Sequence, residues 1–127
     1  MSRSSDPCGV QTYDLGDTTL IRFTGSQVVL DEQNALLVGE QLLAVAGRLK
    51  PGWLLVDFGN VSYLTSTALE LLLRLRQAVH ARGGRLTLRH LRPRLYEVFE
   101  VTRLHTLFDI QSEAVLRERD TRSFNGL

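Results

Sequence analysis

WLLVDFGNVSYLTSTALE, residues 53–70, contains the two signals that decide the fold. The first is the run Trp53–Phe58, which is almost unbroken in hydrophobicity and has glycine on both sides. Such a run is typical of a central parallel strand that is covered on both faces. The second is the set of hydroxyl residues Thr65–Thr67, which leads into apolar residues three and four positions apart. That spacing predicts a helix from about Ser66 to Arg82.

The rest of the chain continues the alternation of strands and helices. Glycine and proline mark the boundaries: Gly83-Gly84 ends the helix in the usual C-terminal manner, and Pro93 opens another. Asp31 is a predicted helix cap, since apolar residues at helical spacing follow it. In chain order, the predicted elements are hairpin strands Val10–Leu15 and Thr18–Phe23, a linker Gly25–Leu30, a helix from Asp31 to about Arg48, a strand Trp53–Phe58, a loop Gly59–Leu64, a helix Ser66–Arg82, a strand Arg85–Arg89, a helix from Pro93 to about Val101 and a short final strand.

These elements predict an α/β fold: a mixed sheet of four to five strands with an N-terminal hairpin and helices packed on the sheet. At 127 residues the chain has room for one domain. We expect residues 10–111 to form that domain. Residues 1–9 are predicted to be a disordered N-terminus, and residues 112–127 a charged C-terminal tail.

The composition narrows the function classes. Hydrophobic residues make up 43% of the chain and charged residues 23%, which is typical of a globular domain, and the net charge is only +1. No apolar run approaches the roughly 18 residues of a membrane span. Cys8 is the single cysteine, which excludes an intrachain disulfide and suits a reducing compartment. We therefore expect a cytoplasmic protein that does not engage a membrane.

Residues suited to catalysis are sparse. The histidines His80, His90 and His105 lack a metal-ligand spacing, and the chain contains neither a G-x-S-x-G nucleophile motif nor a glycine-rich phosphate loop. Asp57, at the end of the buried strand, has two interpretations: a phosphate acceptor as in receiver domains, or a structural acceptor for loop amides or an arginine. The sole lysine, Lys50, precedes this strand, which favours the structural interpretation. The sequence thus predicts no enzyme, no cofactor and no metal site.

The hydroxyl residues Thr65–Thr67 are the candidate site. A helix start presents free amides and positive potential, so it accommodates a phosphate, which would add close to two negative charges and change how a partner docks. The alternative is a structural role: Thr67-x-x-Glu70 matches a capping box, in which Thr67 accepts from a backbone amide and Glu70 reaches back. The two interpretations are compatible, since a capping hydroxyl is also an exposed one.

The stretch 53–69, together with GGRLTL at 83–88, resembles the STAS domain and, more narrowly, the bacterial anti-sigma factor antagonists. The shared features are a hydrophobic strand ending in Asp, a D-S-S/T-G-L type motif at a helix start, a G-G-x-L-x-L strand and a late helix. The resemblance covers roughly residues 10–110. It implies a regulator that binds an anti-sigma factor kinase, is phosphorylated by that kinase on the second hydroxyl of the motif, and is reset by a phosphatase.

Carried over by position, the implied phosphoacceptor is Thr67, with Ser66 as the serine before it. Thr65 stands where the family motif has Asp, and Ala68 where it has Gly, so a phosphorylation-independent scaffold module is the alternative. A homodimer is compatible with either function. The predicted docking surface joins the loop and second-helix start to the entry of the first helix, with Asp57 as a nearby acid; its residues are Tyr63, Leu64, Thr65, Ala68, Leu69, Gly25 and Asp31.

Nucleic-acid binding is a rival function. Seven arginines and no acidic residue lie between Leu71 and Tyr96, a pattern that would attract an acidic partner. Neither interleaved aromatic residues nor a helix-turn-helix pattern accompanies them, which favours a solvated face and makes nucleic acid the weaker alternative. The arginines are Arg74, Arg76, Arg82, Arg85, Arg89, Arg92 and Arg94.

Overall fold

A hairpin followed by strand–helix units builds the described part of the molecule. The computed structural model describes residues 9–48 and 52–111. Apart from Gly9, which pairs with Thr24, the predicted disordered N-terminus and the predicted charged tail lie outside these residues. The elements are β1 (Val10–Asp14), β2 (Thr18–Phe23), β3 (Val28–Leu30), α1 (Glu32–Arg48), β4 (Trp53–Asp57), β5 (Val61–Leu64), α2 (Ser66–Ala81), β6 (Arg85–Arg89), α3 (Pro93–Val101), a 3₁₀ turn (Leu104–Thr106) and β7 (Asp109–Gln111).

The main sheet is mixed. Within the described residues it has five strands in the order β1-β2-β4-β6-β7. β1 and β2 form the predicted antiparallel hairpin, and the other neighbouring strands are parallel. β4 lies at the centre, where Trp53 is in register with Thr18 on one side and Arg85 on the other. The predicted α/β fold, with an N-terminal hairpin and helices on a mixed sheet, is confirmed.

Two segments that were predicted to be a linker and a loop contain strands. Gly25–Leu30 includes β3, and Gly59–Leu64 includes β5; the two pair in parallel as a separate two-stranded sheet. The prediction was wrong because strands of three and four residues are too short to show a period. Their core-facing residues are Val28, Leu30, Val61 and Leu64, with exposed fractions of 5% or less.

The core lies on one face of the main sheet, between the sheet and the helices. On β4, Leu54 and Val56 are fully buried, whereas Trp53 and Leu55, which alternate with them, are half-buried. Asp57, on the same face as Trp53 and Leu55, is buried, so within the described residues the second face of this strand is partly covered and the first face fully. β2, β4, β6 and β7 advance across the sheet in one direction, so right-handed crossovers place their helices on the same face. Apolar residues at helical spacing do enter the core: Ala35, Val38, Leu42 and Val45 from α1, Ala68, Leu72, Leu75 and Val79 from α2, and Leu95 and Phe99 from α3. Val98 of α3, also predicted to be buried, is only half-buried.

A pair of substitutions on β4 tests this one-sided core. We expect Leu54→Ala to lower the free energy of unfolding by about 2–5 kcal/mol, because it leaves a cavity among packed side chains. Leu55→Ala should cost distinctly less, because Leu55 lies on the face that the helices leave open. Urea denaturation of both variants measures the difference. Equal losses would show that the second face is packed as tightly as the first.

Candidate functional site

Two helices begin side by side at one end of the two-stranded sheet. β3 and β5 pair in parallel, with Leu30 opposite Leu64, so the chain leaves both strands at the same end. The backbone N–H of Thr65 donates to the carbonyl oxygen of Leu30 at 2.9 Å, which continues the pairing up to the start of α2. Segments more than thirty residues apart in sequence thus share one surface.

Two side chains, those of Asp31 and Asn34, cap the start of α1. Oδ1 of Asp31 accepts hydrogen bonds from the backbone N–H groups of Gln33, at 3.0 Å, and Asn34, at 3.2 Å. In return, Oδ1 of Asn34 accepts from the backbone N–H of Asp31 at 3.0 Å. This is the reciprocal pattern of a capping box. The predicted cap at Asp31 is confirmed.

The start of α2 is built differently. Thr65 is the N-cap residue, in an extended conformation, but its side chain makes no capping hydrogen bond. Its Oγ1 is buried and has no hydrogen-bond partner among the described residues. Thr67 is the second residue of the helix, and its Oγ1 donates to Oε2 of Glu32 at 3.3 Å. The predicted Thr67–Glu70 capping box is therefore wrong, because Thr67 lies inside the helix and bonds across to α1.

Exposure separates the predicted docking residues into two groups. Tyr63 is 56% exposed, Ser66 is exposed, and Thr65 and Thr67 are half-buried. Leu64, Ala68 and Leu69 have exposed fractions of 2%, 0% and 7% and belong to the core. Their side chains are not presented to a partner, contrary to the sequence-based prediction. They hold the surface from beneath, as expected where apolar positions of a strand and a helix face the core.

The two residues predicted at the entry of the first helix have different surroundings. Asp31 lies at the surface beside the α2 start, but its carboxylate is engaged in capping α1. Gly25 is exposed and has a φ of +115°, which suits glycine in the turn before β3. Since β3 spans about 10 Å and runs toward the helix starts, Gly25 lies at the far end of the two-stranded sheet. The structure does not bring Gly25 together with Thr65–Thr67.

Asp57 takes part in a separate polar cluster at the end of β4. Its Oδ1 accepts from the backbone N–H of Gly59 at 2.8 Å, and Nδ1 of His90 lies 3.1 Å from both carboxylate oxygens. Nε of Arg22, on the neighbouring strand, is 3.8 Å from Oδ2. These contacts match the structural interpretation, a carboxylate that bonds a loop amide and faces an arginine. None of these partners belongs to the segment 63–69.

The arginine-rich band is divided among several elements. Arg76 on α2 donates to the carbonyl oxygen of Leu107, and Arg92 donates to that of Gly59. Arg85 forms an ion pair with Asp109 at 2.8 Å, and its guanidinium lies 4.9 Å from the centre of the Trp53 ring. At least three of the seven arginine side chains thus make contacts within the fold. That arrangement favours the solvated-face interpretation over a continuous nucleic-acid surface.

Sequence reasoning missed two residues of this surface. Val29 is 40% exposed and lies opposite Tyr63 in the β3–β5 register, so the two form an exposed aliphatic–aromatic pair. Glu32 is exposed and accepts the hydrogen bond from Thr67. The dipeptide Val28-Val29 was a usable strand signal, since β-branched residues favour strands. Nothing in the sequence pattern pointed to the pairing of Glu32 with Thr67.

Comparison with known proteins identifies the family. The family described as Mlab, STAS domain matches residues 15–115. The chain therefore belongs to the STAS-domain family, and the resemblance drawn from its motifs is confirmed. No curated protein matches the sequence.

Solved structures share the fold. An anti-sigma-factor antagonist (STAS) domain protein from Planctomyces limnophilus is 23% identical and has a TM-score of 0.73, covering 86% of this chain and 97% of that one. An anti-sigma factor antagonist from Mycobacterium paratuberculosis is 18% identical, with a TM-score of 0.71 and coverages of 87% and 90%. The Bacillus cell fate determinant SpoIIAA in its phosphorylated form is 19% identical, with a TM-score of 0.59 and coverages of 87% and 97%. At these levels of sequence identity, the similarity to the solved structures supports a shared fold alone.

Across residues 9–48 and 52–111, no helix combines the length and the apolar character that crossing a membrane requires.

The free energy of unfolding should depend on the Asp31 carboxylate at the start of α1 but not on the Thr65 hydroxyl at the start of α2. Asp31→Ala should lower the free energy of unfolding by about 0.5–2 kcal/mol, because it removes the cap of α1. Thr65→Val should be close to neutral or slightly stabilising, because it replaces a buried hydroxyl that has no partner among the described residues by a methyl group. Chemical denaturation measures both, and Asp31→Asn, which keeps an acceptor oxygen, is the matched control. A large loss in Thr65→Val would show that this hydroxyl caps α2 in solution.

Proposed function

We propose that this STAS-domain chain is a cytoplasmic, non-enzymatic regulator of the anti-sigma factor antagonist kind, which binds an anti-sigma factor or a related serine kinase. The docking surface is the pair of helix starts, with Val29, Tyr63, Ser66 and Thr67 presented to the partner. The observation that carries the proposal is the exposed Tyr63 beside the hydroxyls of the α2 start. Tyrosine supplies much of the binding energy at protein interfaces.

Phosphate at the α2 start would alter this surface in a way that depends on the acceptor. Ser66 is the first residue of α2 and is exposed, so its phosphate would lie near free backbone N–H groups and the positive end of the helix dipole. Thr67 instead donates its hydroxyl proton to Glu32. A phosphate on Thr67 would replace that hydrogen bond by repulsion between a carboxylate and a group with nearly two negative charges. Either change favours release of a partner that contacts the unmodified surface, and a phosphatase would restore it.

A phosphorylation-independent interaction module is the second candidate function. One observation favours it: the Thr67 hydroxyl is half-buried and already engaged by Glu32, which limits its access to a kinase. Thr65 also lacks the carboxylate that the family motif carries at this position. In this alternative the same Val29–Tyr63 surface binds a partner constitutively.

Phosphorylation is tested by incubating the chain with ATP and the candidate anti-sigma factor kinases of the same genome. We expect intact mass to show a gain of one phosphate that disappears in Thr67→Ala and persists in Ser66→Ala. Disappearance in Ser66→Ala alone would move the acceptor to the exposed serine. Absence of any gain, with a kinase that phosphorylates its own known substrate, would establish the phosphorylation-independent module.

The docking surface is tested independently of phosphorylation. We expect Tyr63→Ala to weaken binding of the cognate kinase by at least about tenfold in calorimetry, because an exposed aromatic anchor is lost. Tyr13→Ala is the matched control, since Tyr13 is 40% exposed on β1, away from the helix starts. Equal effects of the two substitutions would contradict the placement of the partner at the helix starts.

A further inference from the structure

A groove separates the exposed sides of α1 and α2. It has a volume of about 210 Å³ and is lined by residues from these two helices alone. Ala35, Leu36, Gly39, Leu43 and Leu71 form its apolar part. Leu36 is 74% exposed, so the groove is open to solvent rather than enclosed. An exposed leucine beside an apolar groove is a feature of surfaces that partners cover.

The groove exists because the two helices approach closely at one glycine. A β-carbon at Gly39 would fall onto the side chain of Leu71, so a larger residue there would push the helices apart or displace the leucine. Leu71 packs at Gly39 and lines the groove, and Leu36, one turn earlier on α1, lines it too. The apolar part is therefore formed by the packing of α1 against α2 and does not require a partner to assemble.

The charges around the groove are predominantly negative. Its lining includes three glutamates, Glu32, Glu40 and Glu70, and one arginine, Arg74, a net charge of −2. The whole chain, by contrast, has a net charge of +1. The groove is thus an acidic site on a slightly basic protein. Charge complementarity selects a partner segment that carries lysine or arginine beside its apolar residues.

The dimensions suit a helical segment. Along α1 the groove extends from Glu32 to Leu43, roughly 16 Å at 1.5 Å per residue, or three helical turns. Its volume lies below the roughly 300–1,000 Å³ of pockets that enclose small molecules. An amphipathic helix, by contrast, places apolar side chains into a groove at positions i, i+3 or i+4, and i+7. The spacing of three turns accommodates such a set.

We propose that this groove, bounded by Leu36, Gly39 and Leu71 and rimmed by Glu32, Glu40 and Glu70, docks a basic amphipathic helix of a partner protein. The contact goes beyond the surface around Tyr63 in both place and chemistry. Thr67 also lines the groove. A phosphate on Thr67 would add negative charge to the rim, so it would retain or strengthen a basic helix here. The groove therefore serves as an anchor that survives phosphorylation.

The test uses a defined pair of helical peptides on the full chain. One is a stapled peptide of about 14 residues with leucines at i, i+3 and i+7 and lysines on its flanks; its twin has glutamates in place of the lysines. In ¹⁵N-resolved titrations we expect the basic peptide to bind saturably, with the largest shifts at the amides of Leu36, Gly39 and Leu71. The acidic twin should bind at least about tenfold more weakly. Equal binding of the two, or shifts centred on Tyr63, would overturn the proposal.

Neighbouring leucines provide a matched pair of variants. Leu36→Glu should weaken binding of the basic peptide by at least about tenfold. Leu37→Glu should leave the binding unchanged, since Leu37 is 48% exposed but does not line the groove. Both positions are exposed on α1, and thermal unfolding verifies that both variants remain folded. Equal losses in the two variants would overturn the proposal. So would a concentration-dependent dimer that Leu36→Glu abolishes, because the occupant would then be a second copy of this chain.

A third variant separates the groove from the proposed partner-switching surface. Thr67→Glu should bind the basic peptide at least as tightly as the unmodified chain does. The same substitution should weaken binding of the kinase that contacts the Tyr63 surface. Loss of the peptide in Thr67→Glu would overturn the anchor while leaving the effect of Tyr63→Ala on kinase binding untouched. Conversely, absence of phosphorylation by any kinase leaves the peptide titration as it stands.

Discussion

The parallel pairing of β3 with β5 is the constraint on which the candidate site depends. It forces two chain segments to leave the same end of a short sheet, and each then begins a helix. The hydrogen bond from Thr65 N–H to the carbonyl of Leu30 fixes the last step of that pairing at 2.9 Å. As a result Glu32 and Thr67 meet, although 35 residues separate them in sequence. A carboxylate and a threonine hydroxyl become neighbours because of a strand pairing only three residue pairs long.

The order of the strands has a second consequence for function. Because β2, β4, β6 and β7 advance in one direction, the helices that connect them share one face of the main sheet. α1 and α2 therefore lie against each other, with Gly39 at their contact, and form a groove. On the opposite face Trp53 and Leu55 are half-buried, and the Trp53 ring is held by a hydrogen bond to the buried Thr87 and by the Arg85 guanidinium. The proposed partner contacts thus lie on the side of the helices.

Sequence reasoning predicted the parts of the fold that have a visible period or a strong boundary. The central strand, the two longer helices and the hairpin were found because apolar spacing extends over many residues or because glycine and proline end the element. β3 and β5 were missed because their stability comes from each other, a pairing between residues 28–30 and 61–64 that no local window contains. Their β-branched residues favour strands, but runs of three and four residues are too short to show a period, and the tertiary pairing decided their structure.

The candidate site shows the same division. Asp31 was recognised as a cap because its partners, Gln33 and Asn34, are local. With three consecutive hydroxyl residues at the second helix start, the sequence could not decide which one occupies the N-cap position. The N-cap was placed at Thr67, two residues after its actual position at Thr65. The partner of Thr67 comes from another helix. Its identity required the strand pairing that sequence patterns did not show.

The position of Thr67 makes the choice of phosphoacceptor a question about two surfaces at once. Its hydroxyl contacts Glu32, and both residues line the groove between the helices. A phosphate there would act on the helix-start surface by disrupting a hydrogen bond and on the groove by increasing its negative charge. Ser66, which does not line the groove, affects only the first surface. Modification of Ser66 would therefore release a partner from the helix starts without altering the groove. Modification of Thr67 would release the first contact and strengthen the second, so that a partner with a basic helix could stay tethered while its interface with Tyr63 opens.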